Sequence, residues 1–337
     1  TAYEIRPRDW SSDVCSSDLS TFITDRFSVY TTQSSKFTAQ QNAGSVTPPA
    51  GFSNYLGITS SSAYTSISSD LFRIFTTIEG YNIADFAWGT ASAKSITLSF
   101  WVRSSLTGTF GGCLQNQSNN RAYAFTYSIS ASNTWEYKTI TITGETSGTW
   151  YTNNTLGLAI NFDFGSGSSK QIAPGSWQAV DANAATGCTS IVGTSGATLY
   201  LTGMQVEVGT QATPFDWRPY GQELALCQRY YWQPAGVISP NGMTDASGRI
   251  IVNFKLPVTM RSSPTFTLTR VLSRGYDGFL VWTSSSTAVN TSLTFNFGAT
   301  IDAQVDTVGV IFAGSQTSTA GYLNLGQDSV VKISAEL

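Results

Sequence analysis

The sequence contains no histidine. That excludes Ser-His-Asp and Cys-His catalysis, and any zinc site that uses imidazole. Cysteine is scarce too, with four residues at positions 15, 113, 188 and 227. None of them forms a CxxC pair, so neither a redox motif nor a zinc knuckle is supported. Cys113 and Cys188 admit a disulfide, but isolated buried thiols are the expectation, because free cysteine packs as a small hydrophobe. Charged residues make up only 12% of the chain, the net charge is −3, and the Lys and Arg are scattered. A duplex binder shows a basic patch, so nucleic acid is not an expected partner. No apolar run approaches the roughly 20 residues that cross a bilayer. No secretory signal is visible either. A soluble chain without membrane insertion is expected.

What is abundant points to β structure. Thirty glycines, 13% aromatics and many Ser, Thr and Asn suit sandwiches of short strands. Strand signals recur between Gly, Asn and Ser clusters. In Ser95–Arg103, Ile96, Leu98, Phe100 and Val102 alternate with Thr97, Ser99, Trp101 and Arg103, and period two sends the first set to the core. Leu156–Phe164 repeats the pattern, with Asn161 and Asp163 outward. In Thr198–Val208, Tyr200, Met204, Val206 and Val208 are expected to share one face, opposite Leu201, Gly203, Gln205 and Glu207. Further strands are expected near 22–29, 36–42, 52–59, 70–79, 107–115, 121–129 and 135–143.

After Gly209 the texture changes. Pro219–Trp232 is the best helix candidate, with Leu224, Cys227 and Tyr231 on one face and Pro234 just beyond. Strands resume at Arg249–Leu256, Pro264–Val271, Phe279–Thr283, Ser292–Phe297, Asp306–Phe312 and Ser329–Glu336. The expected fold is all-β: a jelly-roll-like β-sandwich over 20–218, a short helical connector over 219–235, and a second, smaller β domain over 236–337.

Residues 1–19, TAYEIRPRDWSSDVCSSDL, resemble a translated sequencing adapter. Asp9–Leu19 read back as its read-primer end and Thr1–Ile5 as its flow-cell end, with an index-length stretch between. On this reading the segment is not part of the fold. Setting it aside removes four acids and two bases and leaves a net charge of −1. The remainder would be a fragment from a metagenomic assembly that lacks its N-terminal virion-attachment region.

Three stretches resemble a family of bacteriophage tail-fibre and tail-associated proteins. They are IEGYNIADFAWGTASAKSITLSFWVRSSLTGTF (Ile78–Phe110), TWEYKTITITGETSGTW (Thr134–Trp150) and LTGMQVEVGTQATPFDWRPYGQELALCQRYY (Leu201–Tyr231). DRFSVY at Asp25–Tyr30 suits the family's opening. The resemblance covers about Thr21 to Trp232. It implies a fold similar to jelly-roll carbohydrate-binding modules. It also implies a homotrimeric virion component, extracellular when mature, that assembles with other tail proteins and contacts the host surface. The family offers no catalytic motif to carry over.

Sugar binding needs an outward aromatic ring beside hydrogen-bonding groups, because the ring face covers the apolar C–H patch of a pyranose. Trp101 and Arg103 are the leading candidates, with Asn161, Asp163, Gln205 and Glu207 to take the hydroxyls of a host cell-surface glycan. The competing reading packs Trp101 under a loop or against a neighbouring subunit. Trp135, Trp150 and Trp177 are expected to plug the edges of the core. A glycosidase needs two carboxylates roughly 5–9.5 Å apart; Asp163 and Glu207 are the pair expected to project from one sheet face, but no motif singles them out. No cofactor is expected. A structural calcium ion is compatible with such a sandwich, yet the D-x-[DN]-x-[DN] spacing is absent and no residue is assigned to it. The leading expectation is a non-catalytic adhesin. A purely structural tail or baseplate protein comes next, and a tailspike-type polysaccharide depolymerase third.

Overall fold

A computed structural model describes residues 26–233 and 256–262 in full. It also gives the backbone of strands Ala2–Tyr3, Val14–Cys15, Ser20–Thr24, Asn241–Thr244, Ile250–Lys255, Thr265–Thr269, Phe279–Thr283, Ala288–Asn290, Thr294–Phe295, Thr307–Ala313, Gly321–Leu325 and Val330–Ser334. The chain divides into two units, Thr1–Trp217 and Arg218–Leu337.

The first unit is an antiparallel β-sandwich. Its main strands are β1 (Ser20–Thr24), β2 (Phe27–Thr31), β3 (Phe37–Gln41), β4 (Leu56–Ser60), β5 (Phe72–Glu79), β6 (Ile96–Ser104), β7 (Gly108–Gln115), β8 (Ala122–Ile129), β9 (Glu136–Ile142), β10 (Leu156–Asp163) and β11 (Thr198–Val208). One seven-stranded sheet runs β9-β6-β11-β4-β3, with Val14–Cys15 beside β3 and Ala2–Tyr3 beside β11. The other, also seven-stranded, runs from Trp177–Gln178 through β8-β7-β10-β5-β2-β1. The chain passes repeatedly from sheet to sheet, as in a jelly roll.

Period-two alternation builds the core between the sheets. Ile96, Leu98, Phe100 and Val102 of β6 are fully buried, and Leu158, Ile160 and Phe162 of β10 face them. Phe100 meets Phe162 edge-on at 5.0 Å, and Phe37, Phe72 and Phe164 form a second edge-to-face group at 5.0–6.3 Å. Such arrangements put the positive ring edge on the negative ring face. Trp88, Trp150 and Trp177 close part of the core, their rings 4.7–5.4 Å apart.

Two local expectations change. The stretch 22–29 is not one strand: Arg26 takes a left-handed φ of 63° and turns the chain between β1 and β2. In β11 a bulge between Thr202 and Gln205 shifts the register. Leu199 and Leu201 therefore share the core with Met204 and Val206, while Tyr200 turns outward, contrary to the strict alternation expected. An extra residue in one strand of a ladder flips the facing of everything beyond it. Gly203 at the bulge has φ +59° and lies under the Phe52 ring, where a Cβ would come within 2.5 Å of a ring carbon.

The described cysteines Cys113, Cys188 and Cys227 are free thiols. Cys113 is buried among Ala122, Ala124, Ala182 and Ala185, with Cys188 packed beside it. Burial pushes both thiols up, that of Cys188 to about 12. The thiolate is the reactive form, so neither should react appreciably with a thiol reagent in native protein at pH 8, and both should react in denaturant. Fast native labelling at either position, located by peptide mapping, would contradict this burial.

The second unit begins with α1 (Tyr220–Gln228), followed by strands on the expected segments and four additional ones. Tyr231–Trp232, Val330–Ser334 and Thr265–Thr269 form a three-stranded sheet; the remaining strands form a seven-stranded one. The helix face differs from expectation. Leu224 is 40% exposed, and the buried residue is Glu223, which pairs with Arg218 at 3.2 Å. Tyr231 lies beyond the helix, in a strand. Among the described residues no helix is long and apolar enough to cross a membrane.

Candidate functional site

The outer face of the β9-β6-β11-β4-β3 sheet carries a group of accessible aromatic residues, Trp101, Tyr137 and Trp217 among them. Alternation in β6 that buries Phe100 and Val102 turns Trp101 and Arg103 outward, half-buried. The register sets Tyr137 of β9 opposite Trp101 on one side and Thr202 of β11 on the other. The Trp101 and Tyr137 rings lie 5.3 Å apart, tilted by 48°, and Tyr137 is 42% exposed. Arg103 does not project freely: its Nη1 donates to the Asn133 carbonyl at 2.7 Å, tying β6 to the turn before β9.

Two further aromatic groups flank this pair. Opposite Arg103 lies Tyr200, packed with Tyr55 and Trp135. Tyr55 is buried, its phenol donating to the Ala43 carbonyl and accepting from the Val46 N–H, while Trp135 Nε1 donates to the Thr47 carbonyl. These groups are structural. On the other flank, next to Thr202, Phe52 sits over Gly203 and packs with Phe215 and Trp217 at 4.8–5.2 Å. Trp217 is 46% exposed.

Gln205 and Glu207 lie on this same face, but their polar atoms are already engaged. Glu207 Oε1 accepts from the Thr213 N–H at 2.8 Å and from Gln205 Nε2 at 2.9 Å, and its Oε2 accepts from the Thr213 hydroxyl at 2.7 Å. Gln205 Oε1 accepts from the Asp216 N–H at 2.9 Å. Burial pushes the Glu207 carboxyl up, but the hydrogen bonds outweigh it and hold the group below the usual carboxylate range. These bonds tie the stretch from Thr213 to Asp216, which leads into Trp217, onto β11.

Asn161 and Asp163 do not join this constellation. They belong to β10, in the opposite sheet, whose outer face points the other way. Period two shows which residues face out of a sheet, not which sheet holds the strand. Asp163 and Glu207 thus stand on opposite faces of two sheets packed roughly 10 Å apart, and the expected carboxylate pair on one sheet face is not formed. Asp163 is buried and accepts from the N–H groups of Gly165 at 3.3 Å and Ser166 at 2.8 Å. Burial pushes its carboxyl up despite those bonds.

The outer face of that second sheet is polar and partly covered by residues 171–185. Asn161, fully buried, donates to the Cys113 carbonyl at 3.0 Å and to Gln115 Oε1 at 3.1 Å. Gln115 in turn donates to Asp181 at 3.1 Å and accepts from Asn183. Asp181 also pairs with Lys170. Arg73 of β5 donates from Nη1 to Asn161 Oδ1 at 2.7 Å, its guanidinium lying 5.3 Å from the Tyr30 ring centre and 4.8 Å from that of Phe75.

Sequence reading singled out neither Tyr137 nor Arg73, although the signal was present. Tyr137, Thr139 and Thr141 alternate with Ile140 and Ile142, and Arg73 and Phe75 alternate with Phe72 and Ile74. Phe52 and Trp217 sit in loops, where no periodicity marks them.

No family model matches the chain, and no curated protein matches it. Several solved structures are similar in part. The enzymatically active domain of bacteriophage CBA120 tailspike protein 4 is 12% identical, with a TM-score of 0.32 over 54% of this chain and 19% of that one. This chain therefore spans about a fifth of the tailspike chain. A family 11 carbohydrate-binding module from Clostridium thermocellum, solved with a β-1,3-1,4-mixed-linked tetrasaccharide, is 12% identical, with a TM-score of 0.27 over 61% and 96%. The N-terminal cellulose-binding domain of Cellulomonas fimi β-1,4-glucanase C is 14% identical, with a TM-score of 0.27 over 53% and 91%.

Proposed function

We propose that the sandwich is a non-catalytic carbohydrate-binding module of a phage tail fibre, and that it contacts host glycans through Trp101 and Tyr137. The carrying observation is the exposed Tyr137 ring of the edge strand β9 packed on Trp101 of the neighbouring β6. Two adjoining ring faces present a rigid apolar platform to the C–H patch of a sugar at little conformational cost. Phe52 and Trp217 extend it beyond Thr202. The resemblance of Ile78–Phe110, Thr134–Trp150 and Leu201–Tyr231 to tail-fibre proteins supports the virion setting and a homotrimer. A millimolar site gives about −4 kcal/mol, so three copies on one fibre would supply avidity that a single site lacks.

A glycan array with residues 20–337 tests this directly. Trp101→Ala is expected to weaken binding at least about tenfold, the loss of roughly 1.4 kcal/mol of ring contact, with the melting temperature of the sandwich lowered by only a few degrees. Wild-type protein that is folded and oligomeric yet binds no glycan would favour the purely structural reading, with Trp101 and Tyr137 as a subunit contact. Binding that persists in both Trp101→Ala and Tyr137→Ala would move the site elsewhere.

A further inference from the structure

We propose that the outer face of the second sheet holds a separate, charge-selective subsite, centred on Arg73, that takes the carboxylate of an acidic sugar residue. Arg73 carries a positive charge that the fold orients but does not neutralise. Its guanidinium lies near the rings of Tyr30, directly opposite in the register, and Phe75, two residues along β5. Asn161 fixes Nη1 from behind. Among the described residues no carboxylate forms an ion pair with it, and its buried Nε finds no hydrogen-bond partner. Burial lowers the guanidinium pKa from its ordinary value, and the nearby Tyr30 and Asp181 offset this only in part. A partly buried cation without a counter-ion is costly, and a buried donor without an acceptor calls for an explanation.

The neighbouring acids are otherwise engaged. Asp163 lies opposite Arg73 in the register, but its carboxylate accepts from the backbone of Gly165 and Ser166. Asp181 bonds Lys170 and Gln115. One positive charge without an ion pair therefore lies at a half-buried position between two half-buried rings. A planar guanidinium matches a carboxylate with two parallel hydrogen bonds. The rings beside it offer the surface that a pyranose requires. A uronic acid residue combines both features in one unit, whereas a neutral hexose would leave the charge unanswered. This face points away from Trp101 and Tyr137, so the subsite does not depend on the platform proposed above.

The test is a titration of the sandwich-containing chain with oligogalacturonate, with the uncharged galacto-oligosaccharide of equal length and with inorganic phosphate. Oligogalacturonate is expected to bind at least tenfold more tightly than either, and to weaken as salt is raised from 50 to 500 mM. Arg73→Gln should lose at least tenfold of that binding, whereas Trp101→Ala should retain it. Should Arg73→Gln fail to fold, the Arg73 Nε–H resonance of wild-type protein serves instead and is expected to shift during the titration. Equal binding of the neutral oligomer or of phosphate would overturn the proposal. So would binding that survives Arg73→Gln, or an Nε–H resonance that saturating oligogalacturonate leaves unmoved.

Discussion

Gly112→Ala is expected to destabilise the sandwich by more than about 3 kcal/mol, beyond the usual range for an added methyl in a packed core. Gly112 lies in β7, paired with Phe125 of β8 on one side and Phe162 of β10 on the other. A Cβ there would stand 1.9 Å from the Asn161 carbonyl oxygen and 2.6 Å from Cζ of Phe125. The first obstacle is backbone held in a ladder on both sides, so no rotamer change relieves it. The ring is itself edge-packed on Phe162 at 5.9 Å. At roughly 2–4 °C per kcal/mol for a unit of this size, calorimetry should show the sandwich transition falling by about 10 °C, or no soluble protein at all. A transition within 2 °C of wild type would mean that β7 does not run between β8 and β10 in this register.

Trp88→Ala should cost about 3–5 kcal/mol, the range for deleting a buried aromatic. Trp88 packs against Phe86, Trp150 and Trp177 at 4.7–5.2 Å, and its Nε1 donates to the Lys94 carbonyl at 2.8 Å. Removing it leaves a hole that no single neighbour can fill, since Trp150 and Trp177 are anchored by their own Nε1 bonds to Ser147 and Thr143. Trp88→Phe should lose appreciably less, because the edge-to-face contacts partly survive. A denaturant midpoint for Trp88→Ala equal to that of wild type would show that the cluster collapses around the gap.

The two substitutions also mark what the sequence made legible. The alternation of β6 was plain, because one face of that strand is wholly apolar; it placed Trp101 and Arg103 outward without reference to any other strand. The same logic failed in β11, since a bulge inserts one residue without leaving a mark on hydrophobicity. It failed more seriously for Asn161 and Asp163, which were correctly placed outward but assigned to the wrong side of the molecule. Sheet membership depends on long-range pairing, and local periodicity carries no information about it. The intolerance expected at Gly112 was equally hidden, because a glycine in a strand reads as weak until its neighbours are known. The second β unit was legible as strands on nearly every expected segment, while the helix face was misjudged because an ion pair, Arg218 with Glu223, decided which side of a short helix is covered.

The clasp formed by Gln205 and Glu207 on the stretch from Thr213 to Asp216 has a mechanical meaning. Tension entering the sandwich at Arg218 does not reach the end of β11 directly. It must first open the bonds from Thr213 and Asp216, a short sacrificial link that lies across the strand's own surface. Behind that link, β11 is bonded to β6 from Leu199 to Val208 and to β4 only at its far end, from Thr198 to Leu201. A load from that end therefore meets the β6 ladder first and the β4 ladder only over the far residues of the strand. In the adhesive role proposed above, such a chain exit would resist pulling in stages.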